Sequence, residues 1–223
     1  MNLNMQVPDL GAFLQEYMER RAALDRFGIY FIRDITDEEA EAFSKTLFLM
    51  GSQRKSFPDA AITVFINSGG GSVGAGLAMM EMIFKVKRDF GVHVNTVVTG
   101  YAYSMGAIVF QAGDKRSMGY LSTLMLHSPS WYVSGEEHKI FKDLDKLATD
   151  YQHVLSELLY RRSGKRDAAW WKRFVYSGRD RFLAPRECLT LGLTDEVCDF
   201  DTCYFDLPGG KLAPSASPRT SSK

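Results

Sequence analysis

Ile62-Thr-Val-Phe-Ile-Asn-Ser-Gly69-Gly-Gly71-Ser-Val73 is an apolar run that ends in three consecutive glycines and gives way to a stretch rich in Met and Leu. An unbroken β-branched and aromatic run of this length reads as a strand buried on both faces. The glycines after it allow a tight turn and a close backbone approach. A helix over about 73–86 and a second strand over 92–99 follow. Strand, helix, strand predicts parallel pairing and a right-handed crossover.

Outward from this unit the pattern repeats. Gly28-Ile-Tyr-Phe-Ile32 reads as a short buried strand, and Thr36-Asp-Glu-Glu39 as the capping box of a helix with Ala40, Phe43, Leu47 and Met50 inward. A further strand over about 121–127 precedes a loop holding Pro129, Trp131 and Gly135, and then the longest helix of the chain. In that helix Ile140, Leu144, Leu147, Tyr151, Val154 and Leu158 recur at helical spacing. Phe141, Ala148, Leu155 and Leu159 widen the stripe, and Gly164 ends it. So broad a stripe suits burial between partners. Alternating strands and helices place the chain in the α/β class.

The chain has 223 residues, enough for one well-buried domain, and no internal Pro/Gly/Ser-rich linker divides it. Residues 1–25 form a separate segment, with Leu10, Phe13, Leu14, Tyr17 and Met18 at helical spacing. The domain spans 26–207, and 208–223 reads as a disordered tail of Pro, Gly, Ser and Lys. Lys+Arg and Asp+Glu balance at 27 each, so no nucleic-acid partner is expected. Cys188, Cys198 and Cys203 are odd in number and lack C-x-x-C spacing, which favours neither a disulfide framework nor a zinc site. No export signal is evident at the N-terminus, so a cytoplasmic location is the default expectation. The uncharged stretch 94–113 contains Asn95, Thr96, Gly100, Ser104 and Gln111, which fit a buried strand and turn better than a membrane span.

Chemistry concentrates in three places. Gly100-Tyr-Ala-Tyr-Ser104-Met-Gly-Ala107 sets a serine among small residues between two apolar runs, where a strand-to-helix turn presents a nucleophile. His127 ends the strand Leu124-Met-Leu-His127, and Asp180 lies in Gly178-Arg-Asp-Arg-Phe-Leu183. A serine hydroxyl needs a neutral imidazole and a carboxylate that fixes its tautomer. Neighbouring parallel strands bring such ends to one edge. The amides of Gly71 and Met105 would then hold an oxyanion. Taken singly, each residue has a plainer reading: Ser104 a turn former, His127 a core histidine, Asp180 a surface ion pair, and Gly69 to Gly71 a tight connection. The remaining histidines, His93, His138 and His153, show no ligand arrangement for a metal. Neither G-x-x-x-x-G-K-[ST] nor G-x-G-x-x-G occurs, and no cofactor is expected.

Ile66-Asn-Ser-Gly-Gly-Gly-Ser-Val73, Tyr103-Ser-Met-Gly-Ala107, Met125-Leu-His-Ser-Pro129, Arg179-Asp-Arg-Phe-Leu183 and Leu191-Gly-Leu-Thr-Asp-Glu-Val197 stand in an order that resembles the proteolytic subunits of Clp proteases, serine peptidases of the ClpP/crotonase fold. The resemblance runs over about 30–197. It implies repeated ββα and βαβ units with a long protruding handle helix, and Ser104, His127 and Asp180 as nucleophile, base and orienting acid. The amides of Gly71 and Met105 become the oxyanion hole. It also implies two stacked heptameric rings, a tetradecamer, around a chamber that an ATP-driven AAA+ unfoldase supplies with unfolded chains. Gly69 replaces a proline usual in the family, Ser128 to Ser134 replace a glycine-rich strand, and Gly178 replaces a frequent acidic residue. A crotonase-type acyl-CoA enzyme and a non-catalytic ring subunit are the alternatives.

Overall fold

The structure, a computed structural model, describes residues 27–54, 61–128 and 140–199, with the backbone alone for 140–145. The elements in order are β1 (Ile29–Ile32), α1 (Asp37–Arg54), β2 (Ile62–Ser68), α2 (Val73–Phe90), β3 (Val94–Tyr103), α3 (Met105–Phe110), β4 (Arg116–Gly119), β5 (Thr123–Leu126), α4 (Ile140–Ser163), α5 (Ala168–Val175), β6 (Arg181–Leu183), α6 (Pro185–Leu191) and β7 (Glu196–Cys198). Strands β1, β2, β3, β4 and β7 pair side by side in that order, all parallel. This is the mixed α/β architecture expected of the sequence. The helix expected in 1–25 and the tail expected in 208–223 lie outside the described residues.

The predicted elements form for the predicted reasons. Thr36 Oγ1 accepts from Glu39 N at 3.2 Å at the start of α1, whose Phe43, Leu47 and Met50 are fully buried. Ser72 caps α2 by accepting from Ala75 N at 3.3 Å. The short strands β4, β6 and β7 carry no period of their own and were not foreseen. One expectation is corrected: Cys198 is disulfide-bonded, a bond that the spacing of the cysteines does not announce. Cys188 is a buried free thiol, pushed up to about 12 by burial and by the Glu187 carboxylate.

A bulge in β3 sets up everything downstream. Between the pairs Ile66↔Val98 and Ser68↔Ala102, β2 advances two residues and β3 four. The extra length is filled by Asn67, whose Oδ1 accepts from Tyr101 N at 3.3 Å. A Cβ on Gly100, at φ 143, would stand 2.6 Å from that oxygen. The strand beyond is displaced, so that Thr96 to Val98 pair with β4 whereas Tyr101 to Tyr103 pair with β5. Strand β6 then adds antiparallel to β5, so that the end of β3, β5 and β6 form a branch of the same seven-stranded sheet.

The other end of the main sheet is tied by Arg116, almost fully buried. Its Nε and Nη2 donate to Asp195 Oδ2 and Oδ1 at 3.1 and 2.6 Å, and its backbone N donates to Oδ2 at 2.8 Å. Its Nη1 donates to Gln111 Oε1 at 2.6 Å, and Gln111 Nε2 donates to Leu193 O at 3.1 Å. Burial raises the Asp195 carboxyl, but the Arg116 bonds outweigh it and leave the group below the usual carboxylate range. A depressed carboxylate contributes stability above its unfolded value of about 3.9, which is lost as pH falls through the lower folded value. Asp195→Ala is expected to cost about 2–3 kcal/mol at pH 7, less than a fully buried pair because Asp195 stays partly solvated. Urea melts should show the gap from wild type narrowing as pH falls below about 3.9.

Candidate active site

Ser104 stands at the joint between β3 and α3 with φ 52 and ψ −123, alone among the described non-glycine residues in having positive φ. Such a backbone costs on the order of 1–3 kcal/mol and needs neighbours that enforce it. Its N–H donates to Met125 O at 2.9 Å, and its carbonyl accepts from Ala107 N and Ile108 N at 3.0 and 3.3 Å. The six residues of α3 are all buried, which fixes the helix below the turn. The hydroxyl makes no capping bond and is left for other use.

That hydroxyl meets His127. Because Tyr103 pairs with Met125 in the parallel β3–β5 ladder, the residues just beyond the two strand ends fall side by side, and Ser104 Oγ lies 2.7 Å from His127 Nε2. The antiparallel pairs Leu124↔Leu183, Met125↔Phe182 and Leu126↔Arg181, continued one step, set His127 opposite Asp180. Among the described residues no hydrogen bond or ion pair joins His127 to Asp180. Asp180 is exposed, and neither flanking arginine pairs with it. Sequence spacing thus anticipates two residues in contact and a third at the facing register.

The glycine turn is stitched to Ile35. Ile35 N donates to Gly70 O at 3.2 Å, Ser72 N donates to Ile35 O at 2.8 Å, and Gly70 N donates to Ser68 Oγ at 3.1 Å. These bonds leave the Gly71 amide without a partner among the described residues, and the Met105 amide, at the first turn of α3, likewise. Both edge a cavity of about 90 Å³ that Ser104 and His127 also line. Its other walls are Val73, Ile108, Leu126, Leu155, Val175 and Tyr176. Of these, sequence reading marked Val73 and Leu126 within the motifs and Leu155 through the helical stripe; Ile108, Val175 and Tyr176 follow no motif. Burial pushes the Tyr176 phenol up to about 12, so it stays protonated on the cavity wall at neutral pH.

Glycine is obligatory here on steric grounds. A Cβ on Gly71 would stand 2.2 Å from Ile35 O, and one on Gly70, at φ 100, 2.8 Å from the Ser104 Cβ. No group of His, Cys, Asp and Glu among the described residues is arranged to hold a metal.

A strained serine, an imidazole in contact with it and two unpartnered amides thus edge one largely apolar cavity. The Clp protease family profile matches residues 14–201. This chain belongs to the Clp protease family. Membership makes it a serine-type peptidase. It is 34% identical over 168 residues to the ATP-dependent Clp protease proteolytic subunit 2 of Chlamydia trachomatis serovar D, an alignment covering 74% of this chain and 77% of the relative. The proteins of the same name from C. trachomatis serovar A and Chlamydia muridarum match with the same identity and coverage. No described helix is long and apolar enough to cross a membrane.

Gly70→Ala forces both positive φ and the clash with Ser104. It is expected to destabilise the fold by about 1–3 kcal/mol in thermal melts and to slow reaction of Ser104 with an active-site-directed fluorophosphonate.

Proposed function

We propose that this Clp family member cleaves peptide bonds of unfolded proteins through an acyl-enzyme on Ser104, with His127 as general base and Asp180 as the residue that orients it. The observation that carries the reading is the 2.7 Å contact between Ser104 Oγ and His127 Nε2. With Nε2 unprotonated, the imidazole accepts the hydroxyl proton as Oγ attacks the scissile carbonyl. The carbonyl oxygen, now anionic, takes hydrogen bonds from the amides of Gly71 and Met105. Collapse of the tetrahedral adduct breaks the C–N bond, and the imidazolium gives its proton to the departing amine. Water, deprotonated by the same imidazole, then hydrolyses the ester and restores Ser104. Asp180, at the register position facing His127, would accept from Nδ1–H and hold that tautomer.

The cavity beside Ser104 supports a preference for the residue before the cut. Its walls are mainly aliphatic, and its volume of about 90 Å³ falls below the ~150 Å³ of an apolar cavity that admits benzene. Peptides with an aliphatic residue at that position should therefore outpace those with an aromatic one, measured as kcat/KM on matched fluorogenic substrates.

Assembly belongs to the same reading. On α4, Leu155 and Leu159 are buried against the domain while Leu147 and Val154, seven residues apart on one stripe, stay exposed. An apolar stripe left uncovered in the protomer supports packing against a second copy, as in stacked heptameric rings enclosing a chamber. The relatives carry "ATP-dependent" in their names, and the sequence has no Walker motif, which supports an ATP-driven AAA+ unfoldase as a separate partner in the cytoplasm.

A fluorophosphonate probe followed by intact mass measurement tests the chemistry. Wild type should gain one adduct and hydrolyse small peptides without ATP. Ser104→Ala should do neither, and Asp180→Asn should lose about 10⁴ in kcat. Equal labelling of wild type and Ser104→Ala removes Ser104 from the mechanism.

A further inference from the structure

Asp180 faces His127 by register, yet it is exposed and no side-chain bond holds it. The four residues before it, Tyr176 to Arg179, include Gly178 at φ 76 with open space around it. The next residue, Arg181, is gripped on three sides. Its Nε donates to Phe174 O at 3.0 Å, its Nη2 donates to Ser177 Oγ at 3.0 Å, and its guanidinium lies 4.8 Å over the Phe174 ring. Phe174 O is one of the carbonyls that the C-terminal turn of α5 leaves without a backbone partner, a natural acceptor for a cation, and it also accepts from Ser177 Oγ at 3.4 Å. Phe174 in turn stacks on Trp170 at 4.7 Å, and Trp170 meets the fully buried Trp171 edge-on at 5.0 Å. Trp171 Nε1 donates to Ser163 Oγ at 3.1 Å, which fastens α5 to the end of α4. On the backbone side Arg181 is the ladder partner of Leu126, the residue before His127.

We infer that Arg181 is a positioning residue: by clamping the start of β6 to the end of α5, it holds Asp180 at the register of His127. This rests on Asp180 being the orienting acid proposed above. Arg181 turns away from Asp180 toward Phe174 and Ser177, so its effect is through backbone placement and not through charge on the carboxylate. Lysine cannot replace it, because one ammonium on a flexible stem does not reproduce two planar bonds and a stacked face.

A double-mutant cycle on the full-length protein separates this role from ordinary stabilisation. In otherwise wild-type protein, Arg181→Ala and Arg181→Lys should lower kcat for a small peptide by up to about 10²-fold, the scale of a misplaced catalytic group. KM should change little. In the Asp180→Asn background the same substitutions should lower kcat no further, because the group they position is already disabled. Ser177→Ala, on an exposed hydroxyl that threatens no folding, should give a smaller loss with the same disappearance. Equal losses in both backgrounds, or no loss from any of the three on wild type, overturn the inference. The proposal about Asp180 fails separately, by a wild-type rate in Asp180→Asn itself, and takes this inference with it.

Discussion

A serine held at φ 52 is the constraint to which the surrounding architecture answers. An L-residue does not rest there without enforcement. The force comes from both sides of the turn: the Met125 carbonyl takes the serine N–H, two α3 amides take its carbonyl, and α3 itself is sealed in the core. Glycine is required where the turn meets its neighbours. The absent side chain of Gly70 makes room for the serine Cβ, and that of Gly106 makes room for Ser68. With the backbone so fixed, the hydroxyl stands 2.7 Å from the imidazole Nε2.

Much of this was legible in the sequence. The run Ile62 to Ile66 and the glycines after it announce a buried strand and a close approach, and the structure shows what is approached: the Ile35 carbonyl and Ser104. Ser104 and His127 could be paired because each follows an apolar strand, and strand ends in parallel register share an edge. Asp180 was harder. Its placement depends on β6, only three residues long, whose antiparallel pairing with β5 leaves no period to read. Val175 and Tyr176 enter the cavity through the packing of α5, a tertiary fact that no local pattern encodes. The bulge at Gly100 was likewise hidden, because an extra pair of residues in a ladder is defined only relative to its partner strand.

Charge has a mainly structural part in this molecule. Arg116, buried, satisfies Asp195, Gln111 and through it Leu193, and so joins β4 to the segment before β7. Among the described residues the cavity next to Ser104 is walled by no Asp, Glu, Lys or Arg side chain. A weakly polar lining of this kind strengthens the hydrogen bonds made against it.

The split pairing of β3 also means that the two unpartnered amides are carried by different segments of the sheet. Ser104, His127 and the Met105 amide follow β3, β5 and the helix that leaves β3, whereas the Gly71 amide follows β2 and is tied to Ile35. The Ser68↔Ala102 pair beyond the bulge is what holds these two segments, and with them the two amides, in a single register.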